Sequence, residues 1–263
     1  MESWPNINLT HLWFLYYLAS ISGLFVAAHW LLLRTRSSAS LSKTIDAGFR
    51  RAAASWFAPL LLTLCVTPVL AMMSGPDVDT PDKSLAWNYP VLLLYGLFFC
   101  FGWCLHRQTH LLGVMARRWQ IFLPLSVAIS VIASIGVGLR ISGGAWAADH
   151  AAALRWGTSL GTSLTMSLAV LGWLGLFVRF FERSAPSIRY LADSSYWVYL
   201  MHLPLVVAFQ VWFSGWHIAW PIKVLAINAC AFALLLSSYH LLVRFTWIGA
   251  WLNGRRAQRS KGK

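Results

Sequence analysis

Ser195, Tyr199 and His202 stand at i, i+4 and i+7 in an otherwise apolar stretch. That spacing puts three polar side chains on one face of an α-helix. Histidine is the side chain whose unperturbed pKa lies near neutrality, so it can take a proton from an attacking hydroxyl. Tyr196 lies near the same stripe. Asp193 or Ser194 is a suitable N-cap for this helix, predicted over 196–214. At roughly 1.5 Å per residue, His202 then lies about 10 Å inside the cap. Pro204 follows two residues later. Its missing N–H takes the helical partner from the Leu200 carbonyl and predicts a kink. The chemical reading is a polar ridge with a titratable group, lining a substrate cavity. The other reading is a hydrogen-bond ladder between helices.

Other groups invite the same question. His11, in Thr10–Leu18, sits beside a run of aromatic residues. Interfacial anchoring accounts for it as well as chemistry does. Arg34 and Arg36 are cationic forks that suit a phosphate group, or that anchor the end of the first apolar run. His29, Asn228 and His240 read as core groups with one hydrogen bond each. Cys100 and Cys104 lie one helical turn apart, but no His/Cys pair at ligand spacing accompanies them, and no metal site is expected. With Cys65 and Cys230 they read as small residues packed between helices. Gly157, Gly161, Gly172 and Gly175, interleaved with Thr and Ser, predict close helix approach. Pro59 and Pro68 have no evident polar cluster beside them. A phosphate loop, a dinucleotide fingerprint, a nucleophile elbow and a metalloprotease helix are all missing from the sequence.

The elements that position these groups follow from composition. Of 263 residues, 58% are hydrophobic and only 11% charged, too few charges to solvate the surface of a soluble globule. An all-α, polytopic transmembrane bundle of about seven spans is expected. The apolar runs are 10–33, 52–73, 89–105, 121–139, 156–181, 196–214 and 224–243, each near the length that crosses a bilayer. Seventeen of the 21 Lys and Arg residues fall in alternate connections and the basic tail at 244–263. The positive-inside rule then puts the N-terminus outside and the C-terminus in the cytoplasm. It also turns the net charge of +13 toward anionic lipid headgroups rather than nucleic acid. The first run lacks a basic n-region and an A-x-A site, so it is not read as a signal peptide.

Two segments together are similar to acyltransferase family 3, the polytopic membrane O-acyltransferases of bacterial surface glycans. His11-Leu12-Trp13-Phe14-Leu15 resembles a mid-chain HLWFL segment of that family. Ser195-Tyr196-Trp197-Val198-Tyr199-Leu200-Met201-His202-Leu203-Pro204 resembles its late S-Y-x-x-Y-L-x-H-x-P helix. The form Tyr190-Leu-Ala-Asp-Ser-Ser-Tyr-Trp-Val-Tyr-Leu is most similar to the glucans biosynthesis protein C branch, associated with succinylation of periplasmic glucans. The family's Arg and His of its first helix, where the His is taken as the base, have no counterpart here, so the chain opens close to the family's mid-region. About three N-terminal spans are then unmatched, and loss of an odd number inverts the first loop, as the charge pattern requires.

The resemblance implies transfer of an acyl group, such as succinyl, from a cytosolic acyl-CoA-type donor to a hydroxyl of a periplasmic glucan or other surface glycan. The chain, or its fragment, would sit in the bacterial inner membrane as one domain over 1–263. In that role His202 positions the donor or relays a proton, Tyr196 and Tyr199 donate hydrogen bonds, and Arg34 and Arg36 hold CoA phosphates. His11 faces the acceptor. No bound cofactor is implied, and a homo-oligomer or partner subunit stays open. The competing expectation is a permease, an inactive fragment or a scaffold. The permease reading is disfavoured because only the Pro204 helix looks broken, whereas transporters usually carry paired broken helices, and the inactive fragment stays open.

Overall fold

The computed structural model describes residues 9–34, 38–181 and 185–254. Among them every regular element is helical, as the composition requires. The α-helices are α1 (Trp13–Leu33, opened by a 3-10 turn at Thr10–Leu12), α2 (Ser38–Ala54), α3 (Ala58–Ala71), α4 (Tyr89–Arg107) and α5 (Leu112–Ser142). They continue as α6 (Gly144–Asp149), α7 (Ala151–Phe181), α8 (Pro186–Ser214), α9 (Trp220–Ser238, prolonged by a π-turn at Tyr239–Val243) and α10 (Trp247–Asn253). Six helical segments have the length and apolarity to cross a membrane, and the pair α2–α3 would make a seventh. In a bilayer, helices satisfy every backbone group internally, which is why this composition takes this form.

Two expectations need correction. The second run, 52–73, is not one straight helix: the chain bends by 112° between α2 and α3. Pro59 opens α3 at a first-turn position, where a missing N–H costs nothing, and Ser55–Phe57 breaks away from α2. Most other helices outrun their apolar runs, because hydropathy reads bilayer thickness and not helix ends. Thus α5 already contains Arg117 and Arg118, and α8 begins at Pro186. Asp193 and Ser194 are therefore interior residues and not caps. Pro204 lies inside α8 without ending it.

The chain divides into two compact units, Met1–Glu182 and Arg183–Lys263. The first is built on the antiparallel pair α5 and α7. A methyl group added at Gly172 would meet Leu123 at 2.8 Å, one at Gly161 would meet Ala133 at 3.1 Å, and one at Gly175 would collide with the Met115 carbonyl. These three glycines allow the close approach that their spacing predicts. Gly157 has open space around it and takes no part.

Helix α3 packs on α7 through hydroxyls. Thr63 Oγ1 donates to Ser167 Oγ at 3.2 Å, and Thr67 Oγ1 lies 2.7 Å from Ser163 Oγ; all four are buried. A polar cluster does therefore accompany the two prolines. Its hydroxyls also bond carbonyls of their own helices, such as Pro59 and Thr63, so the cluster is internally satisfied.

Charge separates along this unit. At one end Arg107 pairs with Asp46 at 2.6 Å and donates to Ser42, and Gln108 Nε2 donates to the Asp46 carbonyl. Arg118 donates to the Ala54 and Ser55 carbonyls and lies 4.3 Å over the Trp56 ring, closing the C-terminus of α2 with a cation. The opposite end holds the connection 72–88 with Asp77, Asp79 and Asp82, where Arg140 donates to Thr158 and to the Gly75 carbonyl.

The second unit is a hairpin of α8 and α9 with α10 folded back on it. Trp197 Nε1 donates to Ser238 Oγ at 3.0 Å, and Tyr190 donates to the Leu236 carbonyl. At the π-turn the Arg244 N–H reaches the Tyr239 carbonyl at 2.8 Å, five residues back. Gly249 lets α10 cross that turn, since a side chain there would collide with the Val243 carbonyl.

The close glycines give a direct test. Gly175→Val should destabilise the protein by about 1–3 kcal/mol or more through overpacking. Gly157→Ala should be neutral or gain up to about 1 kcal/mol from helix propensity. Thermal unfolding of the two purified variants in detergent checks both signs.

Candidate active site

Helix α8 carries the predicted ridge. Tyr199 and His202 come together, with ring centroids 5.8 Å apart, and both are half-buried. His202 Nδ1 lies 2.7 Å from the Tyr199 carbonyl oxygen. A carbonyl only accepts, so in the neutral ring Nδ1 holds the hydrogen and Nε2 the lone pair. Ser195 and Tyr196 are exposed, and Ser195 Oγ donates back to the Ala192 carbonyl. Ser194, one residue earlier, is the buried hydroxyl. Because α8 starts at Pro186, His202 lies about 24 Å along the helix and about 18 Å from its far end. It is thus a mid-helix group, deeper than a cap at Asp193 would place it.

The motif's first tyrosine does structural work. Tyr190 meets Tyr239 edge-on at 5.6 Å, and the Arg244 guanidinium lies 4.9 Å over its ring. Tyr239 in turn accepts from Asn253 of α10. His240 is exposed beside Arg244, and Asn228 is exposed and bonded to its own helix at the Val224 carbonyl. Neither is a core group, and nor is His29, which is exposed and stacks on Phe25. The expectation of burial fails because a polar group in an apolar helix can satisfy itself on its own backbone or a ring. The four cysteines are not buried either: three are exposed and Cys104 is half-buried.

In the first unit His11 sits in the 3-10 turn before α1, partly buried, with Thr10 Oγ1 3.4 Å from its Nδ1. Residues on both sides of it fasten the connection 72–88. Leu9 N–H donates to the Asp82 carbonyl, Tyr16 OH to the Leu85 carbonyl, and Asn88 N–H to Tyr17 OH at 2.8 Å. Asn88 then caps α4 by accepting from Val91 N–H. Trp13 and Phe14 meet Tyr95 of α4 edge-on. The HLWFL segment thus joins α1 to α4, and its neighbours Leu9, Tyr16 and Tyr17 hold the connection between α3 and α4. Arg34 closes α1 with its guanidinium 3.5 Å from the Trp30 ring centroid, and Arg36 lies outside the described residues.

Two cavities flank the α4–α5 turn and share Thr109 and Leu112. One, about 750 Å³, is lined by His110, Arg179 and Gly113 among others, at the basic end. The other, about 740 Å³, is mainly apolar and runs between α1, α4 and α7, with His106 and Thr109 near the turn. His106, Thr109 and His110 carry no assignment from the sequence, and Arg179 counts there only among the basic residues of alternate connections. The available signal was two histidines four residues apart in His106-Arg107-Gln108-Thr109-His110.

The first unit thus offers two cavities beside the α4–α5 turn, and the second a mid-helix histidine beside a tyrosine. The model of acyltransferase family 3, described as an acyltransferase domain, matches residues 2–242, nearly the whole chain. The protein belongs to that family and is a multi-pass membrane acyltransferase. Family membership settles the choice against a carrier. No curated protein and no solved structure matches the chain.

Tyr17 is completely buried, and its hydroxyl accepts the Asn88 N–H that begins α4. Tyr17→Phe should therefore cost about 0.5–1.5 kcal/mol, the usual net contribution of one hydrogen bond. Faster amide hydrogen exchange at Asn88 in the variant, with α7 unchanged, is the expected readout.

Proposed function

We propose that this chain acts in the bacterial inner membrane and transfers an acyl group from a cytosolic acyl-CoA-type thioester to a hydroxyl of a periplasmic glucan or another surface glycan. The observation that carries the reading is the His202 ring, whose Nδ1 contact with the Tyr199 carbonyl leaves the lone pair on Nε2. A general base needs that tautomer. The acceptor oxygen attacks the thioester carbonyl carbon while its proton passes to Nε2. The C–S bond then breaks, and the departing thiolate takes the proton from the imidazolium. Tyr199 and Tyr196 serve as hydrogen-bond donors to the carbonyl oxygen as charge develops there, and Ser195 lines the same face.

The basic ends of the helices face the cytosol in this reading, and the N-terminus lies outside. Segregation of Arg107, Arg118 and Arg179 from Asp77, Asp79 and Asp82 supports that orientation. Arg34 with Arg36, and the basin holding His110 and Arg179, then offer cations to the donor's phosphates from the side where it is soluble. His11 faces the acceptor side. Similarity to the glucan branch makes succinyl the first acyl group to test.

His202→Gln should lower the rate of glucan acylation by about 10²–10⁴ while leaving the thermal midpoint unchanged, the usual cost of losing a general base. The assay is acyl content of glucan after incubation with the reconstituted chain and a radiolabelled thioester. Wild-type rates in that variant would remove His202 from the chemistry.

A further inference from the structure

The apolar cavity of the first unit is elongated. Its α4 wall runs from Leu94 to His106, twelve residues, or about 18 Å at helical rise. Polar side chains cluster at one end, where His106 and Thr109 stand beside the α4–α5 turn. That turn also borders the basin of His110 and Arg179, because both cavities share Thr109 and Leu112. Beyond His106 the wall is Leu105, Phe101, Phe98 and Val170, ending at Phe14, Leu94 and Tyr95, whose hydroxyl is the one polar group at that end.

We infer that this groove holds the acyl chain of the thioester donor, and that Gly102 keeps it open for a neutral chain of several carbons. The assignment rests on the donor reading above. A phosphorylated head belongs in the basin with Arg179, and a thioester leaving that basin past Thr109 delivers its acyl tail into the groove. The wall chemistry decides what kind of tail. A pantetheine arm carries two amides, which would find no hydrogen-bonding side chain among Phe98, Phe101, Leu105 and Val170. Stranding them there costs several kcal/mol. A carboxylate tip at the far end would face Phe14, Leu94, Met166 and the ring of Tyr95, with a hydroxyl at most and no cation in that part of the wall. An aliphatic chain has neither problem, and each buried methylene adds to its affinity. The groove therefore argues for an uncharged, extended acyl group in place of succinyl.

Gly102 lines the groove, and a methyl group added there meets nothing within 4 Å. A larger side chain at this position thus enters the groove without pressing on the backbone, and it replaces a poor helix former. Ala169 lines the opposite wall on α7.

The test uses the full chain in nanodiscs, with empty nanodiscs subtracted, and measures equilibrium binding of CoA, acetyl-CoA, succinyl-CoA and octanoyl-CoA. Octanoyl-CoA should bind at least about tenfold more tightly than the acetyl and succinyl thioesters, a modest share of what its extra buried methylenes allow. Gly102→Leu and Ala169→Leu should each weaken octanoyl-CoA by about tenfold or more and leave acetyl-CoA within about twofold. Equal affinity for the three thioesters, or an equal loss for all three in both variants, overturns the groove assignment while CoA binding keeps the donor reading intact. Failure of CoA and every thioester to bind overturns the donor reading and the groove assignment together.

Discussion

The first unit depends on how near α5 and α7 come to each other. Lipid tails are as apolar as leucine, so burial alone gives two membrane helices little reason to associate. Backbones close enough for dispersion contact supply that reason, and only residues without a side chain allow it. Gly161, Gly172 and Gly175 place α7 against Ala133, Leu123 and Met115 of α5. Helix α3 then lies on α7 through the Thr63/Ser167 and Thr67/Ser163 pairs, and the groove opens along the α7 surface that carries Met166 to Leu174. Had α7 carried bulkier residues at these glycines, it would stand further off and neither α3 nor the groove wall would have a fixed support.

Much of this was legible in the residues. Helical class, span number and close approach on α7 follow from apolar length and from small residues four apart, which report local chemistry. The pairing of Tyr199 with His202 follows from i, i+3 spacing on one helix. Long-range facts were not legible. Nothing local tells that Thr63 and Thr67 meet Ser163 and Ser167 about a hundred residues away. The break at Ser55–Phe57 is carried by ordinary residues, and Pro59 is as compatible with a first turn as with a kink. His106 and His110 gave no signal of their own, because the cavities on both sides of the turn form only when α1, α4, α5 and α7 come together.

In the proposed reaction His202 takes the proton and the basin of Arg179 holds the donor's phosphates. An imidazole in the right tautomer can accept and return a proton, whereas guanidinium keeps its charge at any working pH and suits phosphate. The HLWFL segment has a third task. Trp13, Phe14, Tyr16 and Tyr17 bind α1 to α4 and to the connection 72–88, so this motif acts as a brace at the acidic end. A segment recognised by its resemblance to a family can thus be held for architecture.

Helix α3 is short. Its fourteen residues rise about 21 Å, while a hydrocarbon core measures about 30 Å. A membrane crossing made by so brief a rod forces the bilayer to pinch around it, or draws the amphipathic α2 below the headgroups. Either response carries the water boundary inward beside α3. Groups on opposite faces of the membrane then have less oil between them than the surrounding bilayer would impose.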